Sequence, residues 1–393
     1  MKGYDSMIYA DNAATTRLSP VALEAMIPYL TKQYGNPSSL YAFGQVARQG
    51  VEQSRKTVAR LLNAAPEEVY FTSGGTEADN WAIRGMTAHL LSKGKTHIVA
   101  SAFEHHAVLH TLQAMERMGF SVTLLPVYEN GIVRAKDLAA AITENTGLVT
   151  VMLANNEIGT IQPIAELAAI CRARGIYLHT DAVQAVGHIP VDFAALGVDM
   201  LSLSGHKFHG PKGVGALLVN KALHRRLLLP YFDGGAQERG RRAGTENVAG
   251  IVGMVAALEE AVAHFDVSVP MITRLRDNLI AQLLEIPSSR LNGDAALRLP
   301  GNINISFIGI EGESLLLMLD MKGICASSGS ACTSGSLDPS HVLLAIGLIH
   351  EIAHGSLRLS LSEENTVQEM NAIAVAVAQV VARLREMSPI WHE

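Results

Sequence analysis

The residues of this chain best suited to chemistry are a lysine, an acid and a glycine-containing turn, each following an apolar run. Lys207 lies in SGHKFHGPKG, Asp181 in HTDAVQ, and Gly75 and Thr76 in SGGTE. A strand, a glycine turn and a helix N-terminus can hold an anion, because free N–H groups and the helix dipole both point at the turn. Together these groups predict a site for pyridoxal phosphate (PLP), with Lys207 as its Schiff base and Asp181 against the ring nitrogen.

Two more polar clusters follow predicted strands, Phe103-Glu104-His105-His106 and Asn155-Asn156-Glu157. In an open α/β sheet, ligands bind at the carboxyl ends of the strands, so all of these side chains are expected at one edge. Each residue alone also fits an ordinary role, as an exposed lysine, a capping aspartate or part of a common turn. Their joint placement favours a cofactor site.

A thiol lies in a stretch with almost no apolar side chain to bury. Residues 326–336 read ASSGSACTSGS, with Cys332 in the middle. Little packing opposes the conformational entropy of such a segment, which predicts a mobile loop. A cysteine on a loop gives up the burial usual for this residue. Two interpretations stay open: an incidental thiol on a linker, or a nucleophile that travels to its substrate.

Composition narrows the class of protein. The chain has 393 residues, 48% hydrophobic and 17% charged, with a formal net charge of −6. This length suggests more than one domain, and the slight acidity argues against a nucleic-acid-binding surface. Three cysteines are too few for a disulfide framework, and no uninterrupted apolar run reaches membrane-spanning length. A soluble, cytoplasmic protein without a membrane or nucleic-acid partner is expected.

Short apolar runs alternate with helical patterns between residues 66 and 220. Strands are predicted at 69–72, 97–101, 122–127, 148–154, 177–180, 200–204 and 216–219, and helices at 77–85, 107–118, 135–142 and 164–174. Strands with little polar alternation, spaced by helices, indicate a mostly parallel sheet and the α/β class. The pattern then changes to that of a smaller α+β domain. Its helices and strands are predicted at 247–265, 272–284, 302–307, 312–321, 341–346, 356–361 and 366–387.

Nine stretches, in order from residue 11 to beyond 358, are typical of one family. They are DNAATT, GNPSS, FTSGGTEADN, EHHAVL, NNEIGTIQPI, HTDAVQAVG, SGHKFHGPKGVGAL, GGAQERGRRAGTEN and SSGSACTSGSLDPSHVL. On these the chain resembles a cysteine desulfurase of the NifS/IscS type, in the aminotransferase class V group of fold-type I PLP enzymes. SGHK and SGSACTS are the most diagnostic matches.

The resemblance implies a fold and a division into domains. The expected fold is the α/β fold of fold-type I PLP-dependent transferases, with a mostly parallel seven-stranded sheet in a large domain and a smaller α+β C-terminal domain. The large PLP-binding domain is expected at residues 17–257. Residues 1–16 and 258–393 would form the small domain, which carries the mobile catalytic-cysteine loop at about 324–337.

The resemblance also implies residue roles. Lys207 would carry the cofactor, Cys332 would be the nucleophile, and His105 would stack on the ring and handle a proton. Asp181 would pair with the ring nitrogen and Gln184 with the ring hydroxyl. The phosphate would be held by Gly75, Thr76, Ser204, His206 and, from the neighbouring subunit, Thr245. Asn156 and Arg358 would hold the substrate, with Asn156 also near the cofactor and the guanidinium pairing with the α-carboxylate. No residue is assigned to a metal.

The implied activity is conversion of L-cysteine to L-alanine, with transfer of the sulfur to Cys332 as a persulfide. Only a thiolate is nucleophilic, so a local device must lower or bypass the ordinary thiol pKa of about 8.5. The implied partners are a second copy of the chain in a homodimer and a sulfur acceptor, an iron–sulfur scaffold or another protein. Thr245 and the arginines within 239–242 resemble the segment that crosses between subunits.

The chain departs from the family pattern at three places. Leu40-Tyr41 follows GNPSS where a histidine is frequent, and Leu344 stands where an arginine is common. Cys325 replaces a small apolar residue and is either a spectator or a second redox-sensitive thiol. Cys171 lies in a helical pattern and is expected to pack in the core.

Three other functions are weighed against this one. His350 and His354 belong to an H-E-x-x-H sequence typical of zinc proteases, although nearby glycines leave little helix to align the two imidazoles. A selenocysteine lyase, an aminotransferase or another class V enzyme would share the fold, but transamination needs no nucleophilic cysteine. A non-catalytic scaffold would not need Lys207 and Cys332 together.

Overall fold

The computed structural model describes residues 7–224, 228–328, 339–388 and 391. Its strands, numbered in chain order, are β1 (Ile8–Tyr9), β2 (Val69–Thr72), β3 (His97–Ser101), β4 (Ser121–Leu125), β5 (Thr146–Thr150), β6 (Tyr177–Asp181), β7 (Met200–Ser204), β8 (Gly215–Val219), β9 (Ser289–Leu291), β10 (Asn302–Phe307), β11 (Ile324–Cys325) and β12 (Ser356–Ser360). Its helices are α1 (Pro20–Thr31), α2 (Ala42–Leu61), α3 (Gly75–Gly85), α4 (Thr87–Ser92), α5 (His106–Arg117), α6 (Ala135–Ala141), α7 (Ile164–Ala173), α8 (Phe193–Leu196), α9 (Lys221–His224), α10 (Gln237–Gly240), α11 (Val248–Ala263), α12 (Phe265–Leu284), α13 (Gly312–Met321), α14 (His341–Ala345), α15 (His350–His354) and α16 (Val367–Met387).

A seven-stranded sheet forms the centre of the larger part of the molecule, in the order β2-β8-β7-β6-β5-β3-β4. Only β8 runs against its neighbours β2 and β7, and the remaining neighbours are parallel. Strands β2, β3, β5, β7 and β8 are buried at every residue, which explains their continuous apolar sequence. The predicted mostly parallel seven-stranded sheet is therefore confirmed.

The smaller sheet lies near the C-terminus, with β10 between antiparallel β12 and β9. Its apolar side chains form a core with helices α12, α13 and α16. The N-terminal strand β1 pairs with β11, and Ala10 joins this core, so the two ends of the chain fold together. Leu343 of α14 and Ala353 of α15 instead belong to the core of the large sheet. The domain boundaries given above remain a prediction.

Helices α1 and α2 occupy a region for which the sequence patterns above predict no element. Helix α1 begins after Ser19, whose Oγ accepts a hydrogen bond of 3.1 Å from the Ala22 amide. It packs on α11 but buries only Ala22 fully. Its other apolar residues leave an exposed surface.

Helix α16 is long and apolar enough to cross a membrane by length and composition alone, and so is the pair α11 and α12, bent by 77°. In the fold, the buried residues of α16 recur at helical spacing, at Met370, Ile373, Val377 and Val380. They pack in the core of the smaller sheet. This is the pattern of an amphipathic core helix.

Candidate functional site

The turn between β2 and α3 can hold an anion. Gly74 has φ 150° and ψ −175°, a conformation open only to glycine. Helix α3 starts at Gly75, so its first N–H groups have no acceptor within the helix. A Cβ atom on Gly75 would lie 2.6 Å from Val183 Cγ2, and one on Gly74 would lie 3.6 Å from Ser204 Oγ. The missing side chains thus leave room beside the Ser204 hydroxyl, while Thr76 is exposed at the same turn.

Lys207 ends the short 3₁₀ turn Gly205–Lys207 that follows β7. Its Nζ donates hydrogen bonds to the carbonyl oxygens of Ala13 (2.6 Å) and Ala14 (2.7 Å). The amide of Gln184 donates to the same Ala13 oxygen at 3.0 Å. The N-terminal segment therefore brings Lys207 and Gln184 together, a role that the sequence analysis did not assign to it.

The imidazole of His206 faces the same segment, with Nδ1 3.1 Å from Thr15 Oγ1. Burial and, after it, the nearby charges of Lys207 and Lys212 lower the pKa of His206 to about 4. His206 is therefore a neutral group at neutral pH.

Asp181 is the last residue of β6 and is buried. Its Oδ1 accepts a hydrogen bond of 2.9 Å from the Val183 amide. Burial raises the pKa of Asp181 to about 6, against the opposing effects of this hydrogen bond and of the charge of Lys207. At neutral pH the carboxyl is therefore mostly ionised.

His105 caps helix α5, where its Nδ1 accepts a hydrogen bond of 3.1 Å from the Ala107 amide. Burial lowers the pKa of His105 to about 4, followed by the charge of Lys207 and by three neighbouring histidines. The imidazole is therefore neutral at neutral pH. With Nδ1 as an acceptor, the ring proton resides on Nε2.

Arg358 lies in β12 and is almost completely buried. Its Nη2 donates to Asp11 Oδ1 at 2.8 Å, and its Nη1 donates to the backbone oxygen of half-buried Asn156 at 3.3 Å. The buried Nε has no hydrogen-bond partner among the described residues. A guanidinium with an unused donor is suited to bind a carboxylate.

Cys332 lies outside the described residues, but the residues on either side of its segment are held close to Arg358. Ser327 exchanges two backbone hydrogen bonds with Arg358, of 3.1 and 2.7 Å. Ser340 Oγ donates a hydrogen bond to Glu157 Oε2, next to Asn156 in the chain. Burial raises the pKa of Glu157 to about 7, although Ser340 and the charge of Arg358 lower it.

Thr245 is exposed just before α11. Among the described residues, no hydrogen bond joins it to the turn between β2 and α3 of its own copy.

Two more buried carboxyls lie beside Asp181: Glu104, from a polar cluster predicted at this edge of the sheet, and Asp79, which the sequence patterns did not single out. Neither oxygen of Asp79 on α3 has a hydrogen-bond partner within the described structure, nor does Oε2 of Glu104 after β3. Burial raises the pKa of both acids, that of Glu104 to about 8, and the charge of Asp181 raises them further. The available signal was an acid on the apolar face of α3, between Ala78 and Trp81.

The two described cysteines are poor nucleophiles. Cys171 is buried in the core, as predicted, and burial raises its pKa to about 12. Cys325 is half-buried and pairs with Tyr9 across β1 and β11. Burial and the charges of Asp320 and Asp11 raise the Cys325 pKa, which keeps this thiol protonated.

The zinc interpretation gains no support. The H-E-x-x-H sequence forms only the five-residue helix α15, with the rings of His350 and His354 6.4 Å apart. Within the described ranges, no group of three His, Cys, Asp or Glu side chains is arranged to hold a metal ion.

Comparison with known proteins identifies the family. The family model for aminotransferase class V matches residues 8–373. The chain belongs to the aminotransferase class-V family. It is 50% identical over 392 residues to a cysteine desulfurase IscS of Clostridium botulinum (strain Hall), covering 99% of this chain and 98% of that relative. It is 52% identical over 383 residues to the cysteine desulfurase IscS of Methanosarcina thermophila, covering 98% and 94% respectively.

A solved structure described as a NifS-like protein has a TM-score of 0.90 and 36% identity to this chain, covering 96% of it and 100% of the other. The predicted membership of the NifS/IscS cysteine desulfurases and the fold-type I architecture are therefore confirmed. Enzymes of this family depend on PLP. The residues present fit this cofactor, because the glycine turn can admit a phosphate and Lys207 lies near the buried Asp181.

Proposed function

We propose that this enzyme takes the sulfur atom from L-cysteine, releases L-alanine and holds the sulfur as a persulfide on Cys332 for transfer to an acceptor. The observation that carries the proposal is the proximity of Lys207 to Asp181 and His105, since its charge alters the pKa of both. The substrate is supported by the relatives from C. botulinum and M. thermophila, which are described as cysteine desulfurases.

Lys207 would hold PLP covalently, with Asp181 at the ring nitrogen and Gln184 at the ring hydroxyl. When bound, PLP withdraws electrons from the substrate carbon whose bonds are to be changed. The ionised Asp181 would keep a proton on the ring nitrogen by its negative charge. The phosphate would be held by Gly75, Thr76, Ser204 and His206.

Arg358 and Asn156 would orient the substrate. The unpartnered Nε of Arg358 and one of its terminal nitrogens can form a bidentate pair with the α-carboxylate. Asp11 already holds Nη2, so the guanidinium plane is fixed before substrate arrives. This arrangement reduces the entropy lost when the substrate binds.

Lys207 and His105 would move the protons. The amine of Lys207 would serve as the base that accepts the α-proton of the substrate. His105 stays neutral above a pH of about 4, so across the neutral range it would carry one ring proton, on Nε2, and would act there as a donor to the reactants. Its Nδ1 is engaged by the Ala107 amide, which leaves Nε2 to face the reactants.

Sulfur transfer requires the thiolate of Cys332. A bond forms between the Cys332 sulfur and the substrate sulfur while the carbon–sulfur bond of the substrate breaks. The electron pair of the broken bond stays with the carbon, which takes up a proton to give alanine. The contacts of Ser327 with Arg358 and of Ser340 with Glu157 support this role, because they hold both flanks of the Cys332 segment near the proposed substrate site.

The proposed assembly is a homodimer in which Thr245 of each copy reaches the phosphate of the other. The exposure of Thr245 supports this assignment. The acceptor would be an iron–sulfur scaffold or another sulfur-accepting protein, in a reducing cytoplasm that keeps Cys332 a free thiol.

The test is incubation with L-cysteine, followed by measurement of alanine and mass-spectrometric mapping of the persulfide. Lys207→Ala is expected to lose the lysine-linked chromophore, and Cys332→Ser to keep the colour but lose sulfide release. Cys325→Ser is the matched control and is expected to retain turnover. Full turnover by Cys332→Ser would show that another residue is the nucleophile. An unchanged spectrum of Lys207→Ala would refute the assignment of Lys207 to the cofactor.

A further inference from the structure

The segment of residues 232–247, here called the strap, carries Thr245 and contains a strained turn. Glu238 (φ 45°, ψ 44°) and Arg239 (φ 60°, ψ 34°) are consecutive non-glycine residues in the left-handed region. Such residues are uncommon, and they persist only where surrounding contacts determine the backbone. We therefore expect the contacts that hold the strap in this conformation to have a role in function.

The first anchor of the strap is a buried ion pair between Glu238 and Arg55 of α2. The two side chains are only 3% and 4% exposed, and their two hydrogen bonds measure 2.7 and 2.9 Å. The Glu238 carboxylate also accepts a hydrogen bond of 2.9 Å from the Phe71 amide in β2. This network fixes the strained turn against the strand that leads into the phosphate turn.

The second anchor joins Arg242 to Glu77 in the first turn of α3. Nε and Nη2 of Arg242 donate to the Glu77 carboxylate at 2.8 and 3.0 Å, and Ser73 donates to it through its amide and its hydroxyl. Burial raises the pKa of Glu77, but the hydrogen bonds from Arg242 and Ser73 outweigh it and lower the pKa. The pair is therefore ionised at neutral pH.

Arg242 is three residues before Thr245, so at most about 11 Å of chain separates the anchor from the exposed hydroxyl. Gly244, between them, is also exposed and has φ 107°. The strap thus leaves the large sheet at a fixed point and presents Thr245 on the surface.

We propose that Arg242 is a positioning residue for the PLP-phosphate site of a second copy of this chain, which it serves by fixing the strap that presents Thr245. The inference rests on the proposed function, in particular on the shared site. It assigns the effect of Arg242 to the opposite site of the dimer, although its ion pair lies beside the phosphate turn of its own copy. The competing explanation is that Arg242 acts on its own turn through Glu77.

Heterodimers separate the two explanations. Co-expression of two differently tagged chains and tandem purification give a Lys207→Ala copy paired with an Arg242→Ala copy. The lysine-linked chromophore then forms only at the site of the Arg242→Ala copy, which receives Thr245 from a strap with Arg242 intact. Cofactor retention is measured from the absorbance after gel filtration at limiting PLP.

The Arg242→Ala homodimer is expected to bind PLP about tenfold more weakly, the effect of losing one hydrogen bond to a charged group. In the heterodimer, the site that can form the chromophore is expected to recover wild-type affinity. An affinity as weak as in the Arg242→Ala homodimer would overturn the inference, because the effect would then lie in the same copy. If Arg242 only stabilised the fold of its own copy, PLP affinity at this site would also stay weak.

A second heterodimer, Lys207→Ala with Thr245→Val, tests the shared site itself. If wild-type PLP affinity returns in the Thr245→Val heterodimer but not in the Arg242→Ala heterodimer, only the role of Arg242 is overturned. If the Thr245→Val homodimer binds PLP weakly and the heterodimer binds it equally weakly, Thr245 does not act on the other copy. That result overturns the shared site and, with it, the role of Arg242. Arg60→Ala removes an exposed ion pair with Glu259 and is the control, expected to leave PLP affinity unchanged.

Discussion

Two further buried carboxyls, Asp79 and Glu104, lie beside Asp181, and its charge raises the pKa of both. Asp79 and Glu104 are fully buried, and each has at least one oxygen without a hydrogen-bond partner among the described residues. Burying a carboxylate is costly, and burial raises the pKa of both acids, that of Glu104 to about 8, so Glu104 is mostly protonated at neutral pH. Asp181, with a pKa of about 6, is the stronger acid of the two and is mostly ionised there.

Replacing Asp181 by Asn is expected to stabilise the cofactor-free protein at neutral pH. The folded-state pKa of about 6 lies above the ordinary value, so the stability contributed by a neutral Asp181 is lost as pH rises toward 6. Because Asn has no charge at any pH, the variant avoids this loss. Above pH 6 its free energy of unfolding is expected to exceed that of the wild type by up to about 3 kcal/mol. The measurement is the melting temperature of both apoproteins between pH 4 and 8, where the difference should vanish at the acid end.

Asp192→Asn is a control for which the opposite change in stability is expected. The Ala195 amide and the Asn63 side chain donate to the Asp192 carboxylate and lower its pKa. The stability from this group is present above its ordinary pKa, so Asp192→Asn should be less stable than wild type at neutral pH. An Asp181→Asn apoprotein that melts below wild type at every pH would contradict the prediction.

The residues of the site could be predicted in part. Lys207, Asp181 and His105 each follow an apolar strand, and strand order alone brings such residues to one edge. The carbonyls of Ala13 and Ala14, which hold the Lys207 amine, are 194 and 193 residues away in the chain. The partner of Arg358, Asp11, is 347 residues away. No local pattern encodes contacts of this length.

At the scale of the element, the start of α3 decides whether the phosphate turn exists. The N–H groups of this first turn converge only because Gly74 adopts φ 150° and ψ −175°. A side chain on Gly74 would strain the backbone by about 1–3 kcal/mol. Relaxation of that strain would move the N–H groups away from their common direction.

Gly74→Ala is therefore expected to bind PLP at least about tenfold more weakly, with a lower melting temperature. Gly94→Ala is the matched control, because Gly94 has φ 67° and open space within 4 Å of its Cβ position. This control should lose some stability and keep its PLP affinity. Absorbance titration with PLP measures both variants, and equal affinities would show that the turn does not hold the phosphate.

Regular elements were predicted where a short apolar run or an amphipathic repeat marks them. The predicted strands 69–72, 97–101, 200–204 and 302–307 match the structure at both ends. The strand predicted at 148–154 is wrong at its end, since β5 stops at Thr150. The apolar run continues there because residues 151–154 remain buried in the core, where the amides of Val151 and Leu153 still donate to backbone oxygens of β6. Helix α1 was missed because its apolar residues follow no buried stripe.

At the scale of the whole molecule, an exposed apolar surface surrounds α1 and the loop after it. Its members are Val21, Leu23, Ile27, Leu30, Tyr34, Leu40, Tyr41 and Phe43. Contiguous apolar patches of this kind mark interaction surfaces. Helix α1 packs on α11, which directly follows the Thr245 segment, so we expect the second copy to cover this patch as well.

Leu40 is 94% exposed in one copy, and Leu40→Asp is expected to weaken the dimer at least about tenfold. The physical reason is the cost of burying a carboxylate without a partner in an apolar interface. Leu317→Asp is the control, since Leu317 is 68% exposed on α13, which packs on the core of the smaller sheet and not on α1. Light scattering and sedimentation across a dilution series measure both. A wild-type monomer would overturn the shared site, and equal dissociation of the two variants would mean that another surface covers Thr245.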